Sequence, residues 1–239
     1  MENEMKEFNS GSYSQEITRD FFKSVYSYMF AALSISGIIA YISGTPEIFA
    51  EYFLNSEQTG LSPLFYVVAF APVGLALLIQ MGYERLSFGT LLILFMVYSA
   101  LMGLSLSSIL LVYSGTQIAS TFFITAGAFA GMAILGYTTK TDLSKLGSLL
   151  YMAFIGIFIA GIVNMFIGSD ALGFGIAVIG VFVFTGLTAY HMQQLKTIAA
   201  SQSISAMDRS KLALIGGLQL YILFVNLFLS LLRLLGGRD

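Results

Sequence analysis

Seven apolar runs divide this 239-residue chain, each about as long as a bilayer is thick. They fall at 22–42, 63–81, 88–113, 118–136, 146–167, 172–189 and 212–235. A helix needs roughly 20 apolar residues to cross the hydrocarbon layer. The runs are continuous and do not alternate with period two, which excludes a transmembrane β-barrel. Composition agrees: 57% of the residues are hydrophobic and 10% charged, against about 25% charged in a typical soluble domain. The fold class is therefore all-α, a polytopic membrane helix bundle with seven transmembrane helices. Short connections make sequential helices antiparallel neighbours, except at the first and last loops, which read as longer. Pro72 lies inside the second run. It predicts a kink, tolerated if a neighbouring helix covers the carbonyl that proline leaves free.

Residues 1–20 are polar and carry Glu2, Glu4, Glu7, Glu16 and Asp20. A secretory signal begins basic and turns apolar at once, and a mitochondrial presequence is poor in acids; neither pattern fits. The expected organisation is a cytoplasmic tail over 1–20, with room for a short amphipathic helix, and a single transmembrane domain over 21–239. Nine lysines and arginines fall on the side of the N-terminus: Lys6, Arg19, Lys23, Arg85, Lys140, Lys145, Lys196, Arg209 and Lys211. Only Arg233 and Arg238 lie on the other side, whose loops around Glu47 to Glu57, Gly115 and Asp170 hold none. The positive-inside rule then places the N-terminus in the cytoplasm. Seven spans leave the C-terminus opposite, unless the last segment is re-entrant.

Several function classes lose support. The net charge of −2 does not point to nucleic acid. With no cysteine and one histidine, a structural zinc site is not expected, and no metal or other cofactor is indicated. All thirteen acidic residues lie outside the runs, so the usual mark of a proton or cation path, an intramembrane carboxylate, is missing. No nucleophile has an obvious base beside it, and no glycine-rich phosphate loop occurs, so an enzyme is not expected.

Gly127 with Gly131, and Gly156 with Ala160, form small-xxx-small pairs that suit close helix packing. Tyr41, Tyr83, Tyr113, Tyr137 and Tyr151 lie near run ends, where an amphipathic ring anchors at the interface. Three features could carry chemistry. His191 follows Tyr190 just past the sixth run, at its cytoplasmic end; it is either an interfacial histidine or a pH-responsive plug. Gln219, Asn226, Ser230 and Arg233 share one face of the last helix, suited to interhelical hydrogen bonds or to a pore lining. The Glu84–Arg85 pair is either a solvated loop pair or a route for Arg85 into a polar mouth.

The segment YSALMGLSLSSILLVYSGTQIASTFFITAGAFAGMAILGYTTKTDLSKLGS closely resembles the bacterial, YccA-like members of the Bax inhibitor-1 family. So do IGVFVFTGLTAYHMQQLK and LQLYILFVNLFLSLLRLLG, and the resemblance covers about residues 20–236. It implies a bundle with the seventh helix central. It implies residence in a bacterial inner membrane and a pH-sensitive calcium or cation leak. It also implies, as the alternative, modulation of a membrane-bound AAA protease or of a stress or cell-death response. The family's leak is tied to two aspartates near the cytoplasmic mouth, with an arginine after the second helix. Here His191 stands at the first aspartate position and Leu223 at the second, while Arg85 matches the arginine. Calcium favours about six to eight oxygen ligands, carboxylates among them. The candidate pore and pH-sensor residues are thus His191, Leu223, Arg85, Asn226 and Gln219, in a site lacking the family's carboxylates.

Overall fold

The computed structural model describes residues 2–55, 60–201 and 204–237, with side chains from Glu16 onward. Glu57 and Arg238, used above for orientation, lie outside the described residues, as do the side chains of Glu2, Glu4, Lys6 and Glu7.

Among the described residues there are nine helices: α1 (Glu2–Ser43), α2 (Pro46–Phe53), α3 (Pro63–Gly82), α4 (Phe88–Leu106), α5 (Ile109–Val112), α6 (Gly115–Thr138), α7 (Ser144–Ile167), α8 (Asp170–Ala200) and α9 (Ala206–Leu235). The only β feature among them is an isolated bridge between Leu54 and Leu61. Seven helical segments are long and apolar enough to span a bilayer, α4 and α5 together making the third.

Local chemistry sets the helix starts. Thr45 and Ser62 each precede a proline at the first helical position, and their hydroxyls accept from the backbone N–H groups of Ile48 and Phe65. Ser87 and Ser169 cap α4 and α8 in the same way. Gly168 ends α7 in the left-handed region, at φ 67°, where L side chains are disfavoured.

The chain divides into two compact units. The first holds α1 to α5 and the start of α9, up to Leu218. Within it α4 packs on α1 and α3, and α2 on α3. Helix α3 runs unbroken through the buried Pro72. The carbonyl that Pro72 cannot bond is that of Val68, and Ser105 on α4 donates its hydroxyl to it at 2.8 Å. The third run, expected to be one helix, breaks at Ser107 and Ser108. Their hydroxyls bond back to the carbonyls of Leu104 and Ser105, competing with the helix ladder. The first loop, read as longer than the others, contains α2, whose Phe49 and Phe53 cluster with Phe65 of α3.

The second unit holds α6, α7, α8 and α9 from Gln219 onward. Helix α8 packs on both α6 and α7, and Phe224 of α9 stacks edge-on against Phe122 and Phe129 of α6. Two expectations fail here. Among the described residues of the chain, a Cβ at Gly127, Gly131 or Gly156 would meet nothing within 4 Å, so no other helix approaches closely there. The close approaches use other glycines. A Cβ on Gly136 would strike the backbone of Ala189, and one on Gly180 would come within 2.5 Å of the Ser230 hydroxyl. The loop before the last span is also short. The sequence after His191, rich in Gln, Leu, Lys and Ala, forms helix well, so α8 continues nine residues further, to Ala200.

Helix α9 is continuous over 30 residues, about 45 Å at 1.5 Å per residue, with no re-entrant turn. Its most apolar 18-residue window is 67% buried, against 39% for α8 and 6% for α7. Apolar side chains elsewhere stay uncovered, such as Phe30, Phe123, Met152, Phe166 and Phe182. In water such surface would drive aggregation; in lipid it is the ordinary exterior.

Candidate functional site

Because α8 runs on past residue 191, His191 is not at a helix end. It sits inside the helix, 3% exposed, between the buried Leu187 and Leu195. Its Nε2 lies 2.6 Å from the Tyr151 hydroxyl of α7. The rings of Tyr151 and Tyr190 meet the imidazole edge-on, at centroid distances of 5.7 and 5.6 Å, and each other at 6.2 Å. Gly147, one turn before Tyr151, makes room for this cluster: a Cβ there would fall 2.6 Å from the Tyr190 ring. The Tyr190 hydroxyl accepts from Gln194 Nε2 at 2.6 Å.

The end of α8 clasps the turn between α6 and α7. Gln193 accepts from the Leu143 N–H at 2.9 Å and donates to the Thr141 carbonyl at 2.8 Å. Lys196 donates to the Tyr137 carbonyl at 2.7 Å and stands 5.0 Å from the Tyr137 ring centroid. Asp142 accepts from the Ser144 N–H at 2.9 Å. That interaction with Ser144, by side chain and by backbone, holds the Asp142 carboxyl below its ordinary range.

On α9, Gln219 is the polar neighbour of the imidazole. It makes no well-formed hydrogen bond to Nδ1, which is buried and has no partner among the described residues. Leu223 follows one turn on, buried and apolar. Asn226 donates to its own helix at Ile222 O (2.8 Å), and Ser230 donates to Asn226 O (2.8 Å). Ser230 and the Arg233 guanidinium lie against Gly180 and Gly173 of α8. Of the polar stripe of α9, Ser230 is buried, Gln219 and Asn226 are half-buried and Arg233 is exposed, with the donors of Asn226 and Ser230 satisfied within the helix.

Four of the five sequence candidates therefore belong to the second unit: His191, Gln219, Leu223 and Asn226. Arg85 belongs to the first, exposed in the turn after α3, its N–H donating to Gly82 O at 3.0 Å. Sequence reasoning missed Tyr151, read as an interfacial anchor, along with Gln193, Gly136 and Gly147. Tyr151 and His191 are 40 residues apart, and no local pattern joins them. The extension of α8 was the available signal, since it carries Gln193 and Gln194 onto helix.

The assembled donors are an imidazole, two phenols and an amide. Among the described residues no group of three histidine or carboxylate side chains comes together, and these donors do not fit the oxygen shell that calcium favours.

Seven lipid-length helices around a buried histidine–tyrosine cluster define a polytopic helical membrane protein. The chain belongs to the Bax inhibitor-1 family: the family model described as "Inhibitor of apoptosis-promoting Bax1" matches residues 18–239. It is 41% identical to the inner membrane protein YbhL of Escherichia coli K12 over 218 residues, 90% of each chain. It is also 32% identical to the uncharacterized membrane protein M6_Spy0327 of Streptococcus pyogenes over 219 residues, covering 92% of this chain and 93% of the relative.

Proposed function

We propose that this protein is a pH-sensitive cation leak of the bacterial inner membrane, not an enzyme, gated at His191 and passing monovalent ions in preference to calcium. The location follows the printed name of its Escherichia coli relative, and the positive-inside count puts the N-terminus in the cytoplasm. The observation that carries the reading is the buried His191–Tyr151 bond beside an unpartnered Nδ1. A neutral imidazole has one donor and one acceptor nitrogen, so a single bond to the tyrosine hydroxyl is compatible with it. A protonated imidazole has two donors. The Tyr151 hydroxyl must then accept from Nε2–H, whichever way the neutral bond ran, and Nδ1–H needs an acceptor, for which Gln219 is the neighbouring amide, so taking up a proton rearranges the hydrogen bonds of the cluster. The added positive charge also repels a cation. The sign is therefore closure on acidification.

Calcium selectivity follows from the missing carboxylates. Replacing His191 and Leu223 together by aspartate (H191D/L223D) creates an acidic pair. In liposomes the double variant is expected to pass calcium where the natural protein passes little. Equal calcium flux in both would sink the selectivity argument.

A second reading, a non-channel partner of a membrane-bound AAA protease or a stress-response component, draws on α1. That helix begins at Glu2, ahead of the first apolar run at 22–42, and gives a partner a handle outside the bilayer. Deleting residues 2–18 should then abolish co-purification of that partner; unchanged recovery would count against it.

A further inference from the structure

A cavity of about 380 Å³ opens in the first unit where α3 ends and α9 begins. It is lined by Tyr83, Glu84, Ile204, Asp208, Lys211 and Leu212. Its size falls in the range of about 300–1,000 Å³ usual for ligand pockets. By alternation of the spans, the end of α3 and the start of α9 lie on one membrane face, at the level where hydrocarbon gives way to headgroups.

The lining is unusual in carrying both signs of charge on side chains that are held but not saturated. Lys211 donates one N–H to the Tyr83 carbonyl at 3.3 Å, leaving two. Glu84 accepts from the Tyr83 hydroxyl at 3.1 Å with one oxygen. Asp208 accepts from the Ser205 hydroxyl at 2.6 Å with Oδ2, while its N–H donates to the same hydroxyl at 3.1 Å. Both carboxylates line the cavity together with Tyr83. The Tyr83 phenol is raised above its ordinary value by the hydrogen bond to Glu84, then by burial, then by the negative charges of Glu84 and Asp208. Ile204 and Leu212 supply an apolar wall.

A bare metal cation would meet the lysine ammonium, and a simple anion would meet two carboxylates. A group with a phosphate and a compact ammonium a few bonds apart matches both. We propose that the cavity binds the phosphoethanolamine headgroup of a membrane lipid, Lys211 engaging the phosphate and Glu84 and Asp208 the primary ammonium, with the glycerol against Ile204 and Leu212. A primary ammonium donates hydrogen bonds to carboxylates, and a trimethylammonium cannot, so the site distinguishes ethanolamine from choline lipids.

The test uses the intact protein in detergent, titrated with short-chain phosphatidylethanolamine, phosphatidylcholine and phosphatidylglycerol, and read by native mass spectrometry. Phosphatidylethanolamine should bind about tenfold tighter than the other two, the loss expected for a missing charge-assisted hydrogen bond. Glu84→Gln changes an exposed turn residue without changing its shape. It should erase the preference for ethanolamine, while Lys211→Gln should weaken all three lipids. Equal affinity for the three lipids, or an undiminished preference in E84Q, overturns the proposal. So does phosphatidylglycerol binding as tightly as phosphatidylethanolamine and being lost only in K211Q, which would make the cavity an anion site. Circular dichroism melting of each variant confirms that a loss of binding is not a loss of fold.

Discussion

Replacing Gly136 by alanine puts one methyl group where α6 meets α8. The added Cβ would lie 2.7 Å from both the carbonyl carbon and the Cα of Ala189, and nearer still to its carbonyl oxygen. All three atoms are backbone, so no side chain can turn away. The helices must separate by roughly 1 Å to restore ordinary contact. Overpacking of this kind costs about 1–3 kcal/mol. Alanine also has the better helix propensity, by up to ~1 kcal/mol, which masks part of the loss. The same substitution at Gly127, on the same helix, carries the same propensity gain and meets nothing within 4 Å. The difference between the two variants therefore isolates the packing cost, about 1–3 kcal/mol. Reversible unfolding in mixed micelles, driven by added dodecyl sulfate, measures both. G127A should equal or exceed the natural protein, and G136A should fall clearly below it. Ala189 lies two residues before His191, so G136A should also disturb the Tyr151 bond. If the two variants unfold together, α6 and α8 do not meet closely at Gly136 and Ala189.

Three further outcomes follow from the site. Tyr151→Phe removes the bond to Nε2 and leaves a second buried ring nitrogen without its partner; it should destabilise the fold by about 1–3 kcal/mol and flatten the pH response of flux, both measurable in one preparation. Gln193→Leu releases the Leu143 N–H and the Thr141 carbonyl together, so limited proteolysis should cut the 139–143 turn faster, while an unchanged rate would show that the clasp is idle. The Asp142 carboxyl is held below its ordinary range; its contribution is therefore fully present above about pH 3.9, the unfolded value, and is lost as pH falls through the lowered one. Hydrogen exchange at the Ser144 amide should accordingly be faster in Asp142→Asn than in the natural protein at neutral pH, with the difference vanishing in strong acid.

The membrane spans were legible because lipid imposes a length and a composition on every crossing, and seven runs met both. Their ends were less so. The runs at 172–189 and 212–235 marked where apolar residues stop, whereas α8 and α9 end where helix stops, at Ala200 and, at the start of α9, Ala206. Polar helix formers after His191 hid that difference. Proline chemistry was readable in outline: the need to cover the Val68 carbonyl follows from Pro72, but Ser105 as its donor does not. Glycine pairs misled for a physical reason. A small-xxx-small pattern states that a close approach is permitted, not that a neighbour takes it; Gly127 and Gly131 are open while Gly136 is in contact. At the site, His191 and Leu223 stood out because the family resemblance implies carboxylates at those two positions. Tyr151 could not, because its role depends on α7 and α8 lying side by side.

The central claim is that His191 couples proton uptake to a cation path, and monovalent cation flux into liposomes bearing the intact protein tests it most directly. Flux should be followed from about pH 8 to about pH 5, bracketing the ordinary imidazole value of ~6.5, beside a His191→Phe variant. The account predicts flux above that of empty liposomes at high pH, a fall on acidification, and no such fall in H191F. Flux equal to that of empty liposomes at every pH, or the same acid response in H191F, would contradict it.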